Sequence, residues 1–107
     1  HLKYRIPADY PLCALLLDKK LDQFVGMLGK YYRLDSPKMP THYKEALVLY
    51  THRRSKPRFI YHDNVMDADF QDFQQMEHKY SNPVEQQNAI RDTYGNTYWY
   101  YYEYGNR

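Results

Sequence analysis

The sequence predicts an all-α fold of about five helices, packed as helical hairpins around a tyrosine-rich core. Three observations predict it. Apolar residues recur at helical spacing along most of the chain. Pro and Asn-Pro steps fall between those stretches, where helices end. The C-terminal end crowds seven aromatics between Tyr94 and Tyr104, and no well-patterned strand elsewhere could pair with that run.

The first helix is expected over residues 10–19, with Asp9 as N-cap and Pro11 in the first turn, where its missing N–H is harmless. A second is expected from Leu21, because Leu21, Phe24, Val25, Leu28 and Tyr32 make one continuous stripe. Gly26 and Gly29 each weaken it by up to about 1 kcal/mol relative to Ala. Residues 33–40, with Pro37 and Pro40, read as a loop. The third helix is expected over 41–54, with Tyr43, Ala46, Leu47 and Tyr50 as its apolar stripe and basic residues in its last turn. Residues 55–64 read as a connector in which 58–61 can be extended.

The fourth helix is expected over 67–80, with Met66, Phe70, Phe73, Met76 and Tyr80 on one side. A fifth follows Asn82. Asn82 is the cap, Pro83 opens the first turn, Glu85 completes a capping box, and Gly95 stands at C′. Thr97 is placed to cap a short last helix over Tyr98–Tyr104. At helical spacing Tyr94, Tyr98, Tyr101 and Tyr102 fall on one face, leaving Tyr100 and Glu103 nearer to solvent. Cys13-Ala14-Leu15-Leu16-Leu17 echoes Glu45-Ala46-Leu47-Val48-Leu49 at an offset of 32 residues. That is close to the period of about 34 in tetratricopeptide-like solenoids, so such an architecture is expected.

The chain has 107 residues, which fits one domain, 1–107. Its mean hydropathy of −0.93 points toward disorder, but an aromatic content of 18% points the other way. Net charge is only +2. It is unevenly spread: residues 1–60 carry 12 Lys or Arg against 5 Asp or Glu, whereas residues 61–107 carry 3 against 8. Attraction between the halves explains this more simply than an anionic partner. The one cysteine, Cys13, excludes an internal disulfide and leaves the compartment open. The longest apolar run, Leu12 to Leu17, is far short of the roughly 20 residues that span a bilayer. The chain begins at His1 without Met or a signal peptide, the pattern expected of a fragment of a longer protein.

No catalytic, cofactor or metal motif stands out, and none is expected. The histidines His1, His42, His52, His62 and His78 contain no zinc-helix pair. His62, Asp63 and Asp67 could meet a metal, yet solvated loop residues are the simpler reading. The cluster Asp63, Asn64, Asp67, Asp69 and Asp72 lacks the glycine and spacing of a calcium loop, and charges at a helix start explain it better. No phosphate-binding glycine loop or nucleophile elbow is present, and Cys13 sits among leucines, where a thiolate is disfavoured. The best basic patch is His52-Arg53-Arg54-Ser55-Lys56-Pro57-Arg58, with Tyr50 and Phe59 beside it. It is short and has no RNA-binding signature, so nucleic acid is not expected as a partner.

The aromatic tail has three readings. The first is a lid on the core, since each large aromatic can bury roughly 150–250 Å². The second is a protein-contact surface, because Tyr and Trp anchor interfaces. The third is a platform for stacking on a sugar. The candidate contact residues are Tyr98, Trp99, Tyr100 and Tyr104, with Arg53, Arg54 and Arg58 from the basic run.

One resemblance joins these pieces. Residues 12–32, His42-Tyr43-Lys44-Glu45-Ala46-Leu47-Val48-Leu49-Tyr50, Tyr61-His62-Asp63 and Arg91-Asp92-Thr93-Tyr94-Gly95-Asn96-Thr97-Tyr98-Trp99 resemble a family of uncharacterised bacterial membrane proteins. In that family a multi-spanning N-terminal part precedes a soluble helical C-terminal region. The resemblance covers nearly the whole chain and brings no known catalytic residue. It implies a membrane-anchored parent with this region on the extracytoplasmic side. The expected role is a non-catalytic interaction or scaffold module whose partner is another protein or the rest of its own chain. The alternative is a carbohydrate-binding or carbohydrate-processing domain using the aromatic tail.

Overall fold

The structure is a computed structural model that describes residues 9–58 and 60–105. It is all-α. Among the described residues there are six helices and no strand: α1 (Tyr10–Leu17), α2 (Leu21–Leu28), α3 (Thr41–Arg53), α4 (Asn64–Lys79), α5 (Pro83–Tyr94) and α6 (Tyr98–Tyr104). The C-terminal aromatic run is therefore helix. The chain divides into two compact units, one up to Met39 and the other from Pro40 onward.

The first unit is a helical hairpin of α1 and α2. Leu12 and Leu16 from α1, and Leu21, Phe24, Val25 and Leu28 from α2, are buried. α1 stops two residues short of the expected end because the chain turns sharply. Lys19 sits at φ 61, in the left-handed region. Its N–H donates to the Leu16 carbonyl at 3.0 Å, and that of Lys20 to Leu15 at 2.9 Å. This is the crossed pair of bonds that closes a helix end, with lysine where glycine is usual. At the other end, Asp9 holds the N-cap position but makes no side-chain cap bond. Its carboxylate instead accepts the Tyr32 hydroxyl at 2.8 Å. Tyr32 is available for this because α2 ends at Leu28, before the turns at Gly29, so Tyr32 does not continue the α2 stripe.

In the second unit α3 packs against α4 and α6, α4 against α5, and α5 against α6. The four helices form a closed ring. α3 is buried on more than its expected stripe: Glu45, Val48 and Leu49 are buried along with Tyr43, Ala46, Leu47 and Tyr50. Glu45, Val48 and Leu49 are themselves spaced i, i+3, i+4, a second stripe on the same helix. α4 begins at Asn64, three residues before the expected start. Asp63 is its cap, with the carboxylate accepting the Met66 N–H at 2.9 Å. Of the expected α4 face, Phe70 and Phe73 are fully buried. The Asn82 carboxamide accepts from Val84 and Glu85 at 2.9 and 3.0 Å and starts α5 as expected.

Gly95 does not take the left-handed C′ conformation expected of it. It continues the helix at φ −61 as the C-cap. A side chain there is excluded by proximity instead, since a Cβ would lie 2.5 Å from the Arg91 carbonyl oxygen.

Candidate functional site

The aromatic tail begins with a well-anchored helix start. Thr97 Oγ1 accepts the Tyr100 N–H at 3.2 Å and donates to the Tyr94 carbonyl at 2.7 Å. The Glu45 carboxylate, reaching from α3, accepts the Tyr98 N–H at 2.8 Å. The Trp99 indole N–H donates to the Glu45 main-chain carbonyl, also at 2.8 Å. One residue of α3 therefore holds two consecutive residues of α6. Glu45 is the one buried charged residue among the described residues. Its carboxylate lies at the N-terminal end of α6, with His42 Nδ1 2.8 Å from the same Oε1.

Below this anchor Trp99 enters the core. Its ring lies edge-on to Phe70 at 5.2 Å and tilted against Phe73 and Tyr94 at 6.0 and 6.1 Å. Edge-to-face pairs of this kind add about 0.5–1.5 kcal/mol beyond area burial. Phe70 also meets the His52 ring at 5.0 Å.

Further ties from the last two helices reach carboxylates or their neighbours. The Tyr94 hydroxyl donates to Asp72 at 2.7 Å, and that of Tyr104 to Glu77 at 3.0 Å. Arg53, the last residue of α3, forms an ion pair with Glu103. Burial pushes the Tyr94, Tyr98 and Tyr104 phenols above their ordinary range, and the adjacent Asp72 and Glu77 add to this for Tyr94 and Tyr104. Burial likewise raises the Glu77 carboxyl, against the opposing pull of the Tyr104 hydrogen bond.

The seven candidate contact residues separate into three groups. Tyr98 and Trp99 are buried, 6% and 2% exposed, and pack in the core. The Trp99 ring and its N–H both find their contacts inside. Tyr100 and Tyr104 are half-buried and pair with each other at 5.1 Å, with the Gln87 side-chain amide 3.3 Å from the Tyr100 hydroxyl. Arg53 is drawn to α6 by Glu103, Arg54 lies over the Tyr50 ring at 5.8 Å, and Arg58 is exposed, its main-chain N–H donating to the Tyr50 hydroxyl at 2.7 Å. Phe59, read as a neighbour of this patch, lies outside the described residues.

No residue from 97 to 105 is fully exposed, so the tail is not a free arm. Glu103, expected near solvent, is held at the surface of the core by Arg53. Sequence reasoning missed Glu45, Asp72, Glu77 and Glu103 as the groups that hold the tail. The second stripe through Glu45 was the available signal for the first; a carboxylate on a long helix face gives none for the others.

His62 Nδ1 and His52 Nε2 approach the two oxygens of Asp67 at 3.2 and 3.8 Å. Asp63, drawn into its capping role, is not part of that group. Among the described residues no three His, Cys, Asp or Glu side chains are placed to hold a metal ion. Nor is any described helix long and apolar enough to cross a membrane.

No curated protein and no solved structure matches the chain. A family of unknown function (DUF6057) matches it over residues 2–105, from ahead of the first hairpin to the end of the aromatic helix, and the chain belongs to that family.

Proposed function

We propose that this region is a non-catalytic interaction module, the C-terminal part of a larger membrane-anchored protein on its extracytoplasmic side. The membrane-anchored parent rests on the resemblance described above. The observation that carries the interaction reading is the rim at the end of α6. The half-exposed Tyr100–Tyr104 pair lies on the helix that Arg53 and Glu103 tie to the end of α3. The exposed basic residues Lys56 and Arg58 follow that end in sequence. Tyrosine and arginine at a rim with a rigid backing are favoured interface anchors. The basic residues select an acidic segment, either of another protein or of the remainder of this chain.

A photo-crosslinking amino acid at position 100 of the full-length parent tests this. It should capture one defined acidic segment, while the same group at the exposed Asn88 should not. A Tyr100→Ala/Arg58→Ala double variant with an unchanged melting temperature should bind that segment at least tenfold more weakly, equivalent to about 1.4 kcal/mol. Equal crosslinking at both positions would count against the proposal.

The second reading, carbohydrate binding, is favoured by the same tyrosine pair with Gln87 and Glu77 at its hydroxyls. A glycan array separates the two. Binding that disappears in Tyr100→Ala and Tyr104→Ala supports the sugar reading. Trp99→Ala is not a usable control, because its ring is core.

A further inference from the structure

Trp99 is the one tryptophan of the chain. Its ring is buried, yet it lies one aromatic step from the surface. The Tyr94 ring stands 6.1 Å away, tilted by 57°, and Phe73 lies against both rings at 6.0 and 5.9 Å. These separations are those of contacting aromatic pairs, about 4.5–7 Å. Tyr94 is half-buried, and its hydroxyl donates to the exposed Asp72 carboxylate at 2.7 Å. The two polar hydrogens of the Trp99–Tyr94 pair therefore have unlike partners. The indole N–H of Trp99 faces a main-chain carbonyl, that of Glu45. A carbonyl accepts the hydrogen bond but is too weak a base to take the proton. The phenolic O–H of Tyr94 faces a carboxylate, which can take it, within the reach of a positioned base.

We propose that Trp99, Tyr94 and Asp72 form a radical relay that carries an oxidising equivalent out of the core. A one-electron oxidant removes an electron from the Trp99 indole, which keeps its N–H and becomes a radical cation. Tyr94 then gives one electron to the indole and its phenolic proton to Asp72. The products are neutral Trp99, a neutral tyrosyl radical and a protonated Asp72. A cation and an anion become neutral groups in this step, so no charge is left beside the apolar core. Without the carboxylate, the phenol would lose its electron while still holding its proton, which places a positive charge in a partly buried site. The relay spares the indole that fills the centre of the second unit. It leaves the radical on a half-buried ring, where a soluble reductant can reach it.

The test uses the whole chain and a laser flash at the red edge of the indole band, where tyrosine does not absorb. The flash ejects an electron from Trp99, and a cobalt(III) ammine complex in the buffer takes it up. The tryptophan and tyrosyl radicals have separate absorption bands, so the transfer appears as decay of the first with matching growth of the second. In Tyr94→Phe the tyrosyl signal should disappear and the tryptophan radical should persist. Asp72→Asn keeps an acceptor for the hydroxyl but no base, and should slow the transfer about a hundredfold, the low end of what a positioned base contributes. Glu85→Gln, which alters an exposed carboxylate at the start of α5, should leave the rate unchanged. Heavy water should slow the step in the unaltered protein, a reading that needs no variant. The proposal is overturned by any of four results: no tyrosyl radical in the unaltered protein, an unaltered rate in Tyr94→Phe, equal rates in Asp72→Asn and Glu85→Gln, or equal rates in light and heavy water.

Discussion

Cys13-Ala14-Leu15-Leu16-Leu17 in α1 and Glu45-Ala46-Leu47-Val48-Leu49 in α3 are nearly the same word in two settings. In α1 only Leu16 of the five is buried, and Leu17 is 60% exposed. In α3 all five are buried. Composition and period do not distinguish them. The difference lies in what surrounds each helix. α1 belongs to a two-helix hairpin, whereas α3 is one wall of a closed ring of four helices. A helix in such a ring is covered on more than one side, so its nominally outer positions become core.

This contrast can be broken or sharpened by substitution. The largest effect is expected where α3 meets the tail. Trp99→Ala removes the ring that α3 anchors and should cost about 3–5 kcal/mol, a large part of a typical total of about 5–15 kcal/mol. Deletion of residues 97–107 should do at least as much, and an unchanged thermal midpoint in either variant would show that the tail is not core. The matched pair comes next. Leu49→Ala should cost about 2–5 kcal/mol, and its counterpart Leu17→Ala no more than about 0.5 kcal/mol. Equal losses in chemical denaturation would mean that the two settings are energetically alike.

Glu45→Ala comes third, because it leaves the Tyr98 N–H buried without its acceptor. The expected loss is about 1–3 kcal/mol, and amide exchange in α6 should accelerate more than in α5. The smallest effect has the opposite sign. Lys19→Gly relieves a left-handed residue at the end of α1 and should raise stability by about 1 kcal/mol. A fall instead would show that the Lys19 side chain contributes more than its backbone strain costs.

The helical fold was legible because its signals are local: stripes at helical spacing, the Asn82-Pro83 start and the Thr97 cap. The errors arose where a residue had two possible uses. Asp9 was read as a cap and is taken by Tyr32. Asp63, read both as a loop residue and among helix-start charges, serves as the cap of α4. Gly95 carries the right signal for a helix end but with a different geometry. The candidate site was legible only as a region. Tyr100 and Tyr104 remain at the surface, while Tyr98 and Trp99 go inside, and hydropathy cannot separate tyrosines that differ only in which helix they face. The carboxylates that hold them sit about 20 to 50 residues away in sequence, beyond the reach of any local pattern.

The bond from Trp99 to Glu45 spans 54 positions. Closing it means ordering a long intervening stretch before the contact is rewarded, the kind of non-local step that slows folding. It also sets a schedule during synthesis. α3 can be made, and α4 and α5 can meet, but their shared centre stays open until α6 has been delivered. Synthesis halted before α6 would leave a second unit with its aromatic interior uncovered, a species prone to aggregate.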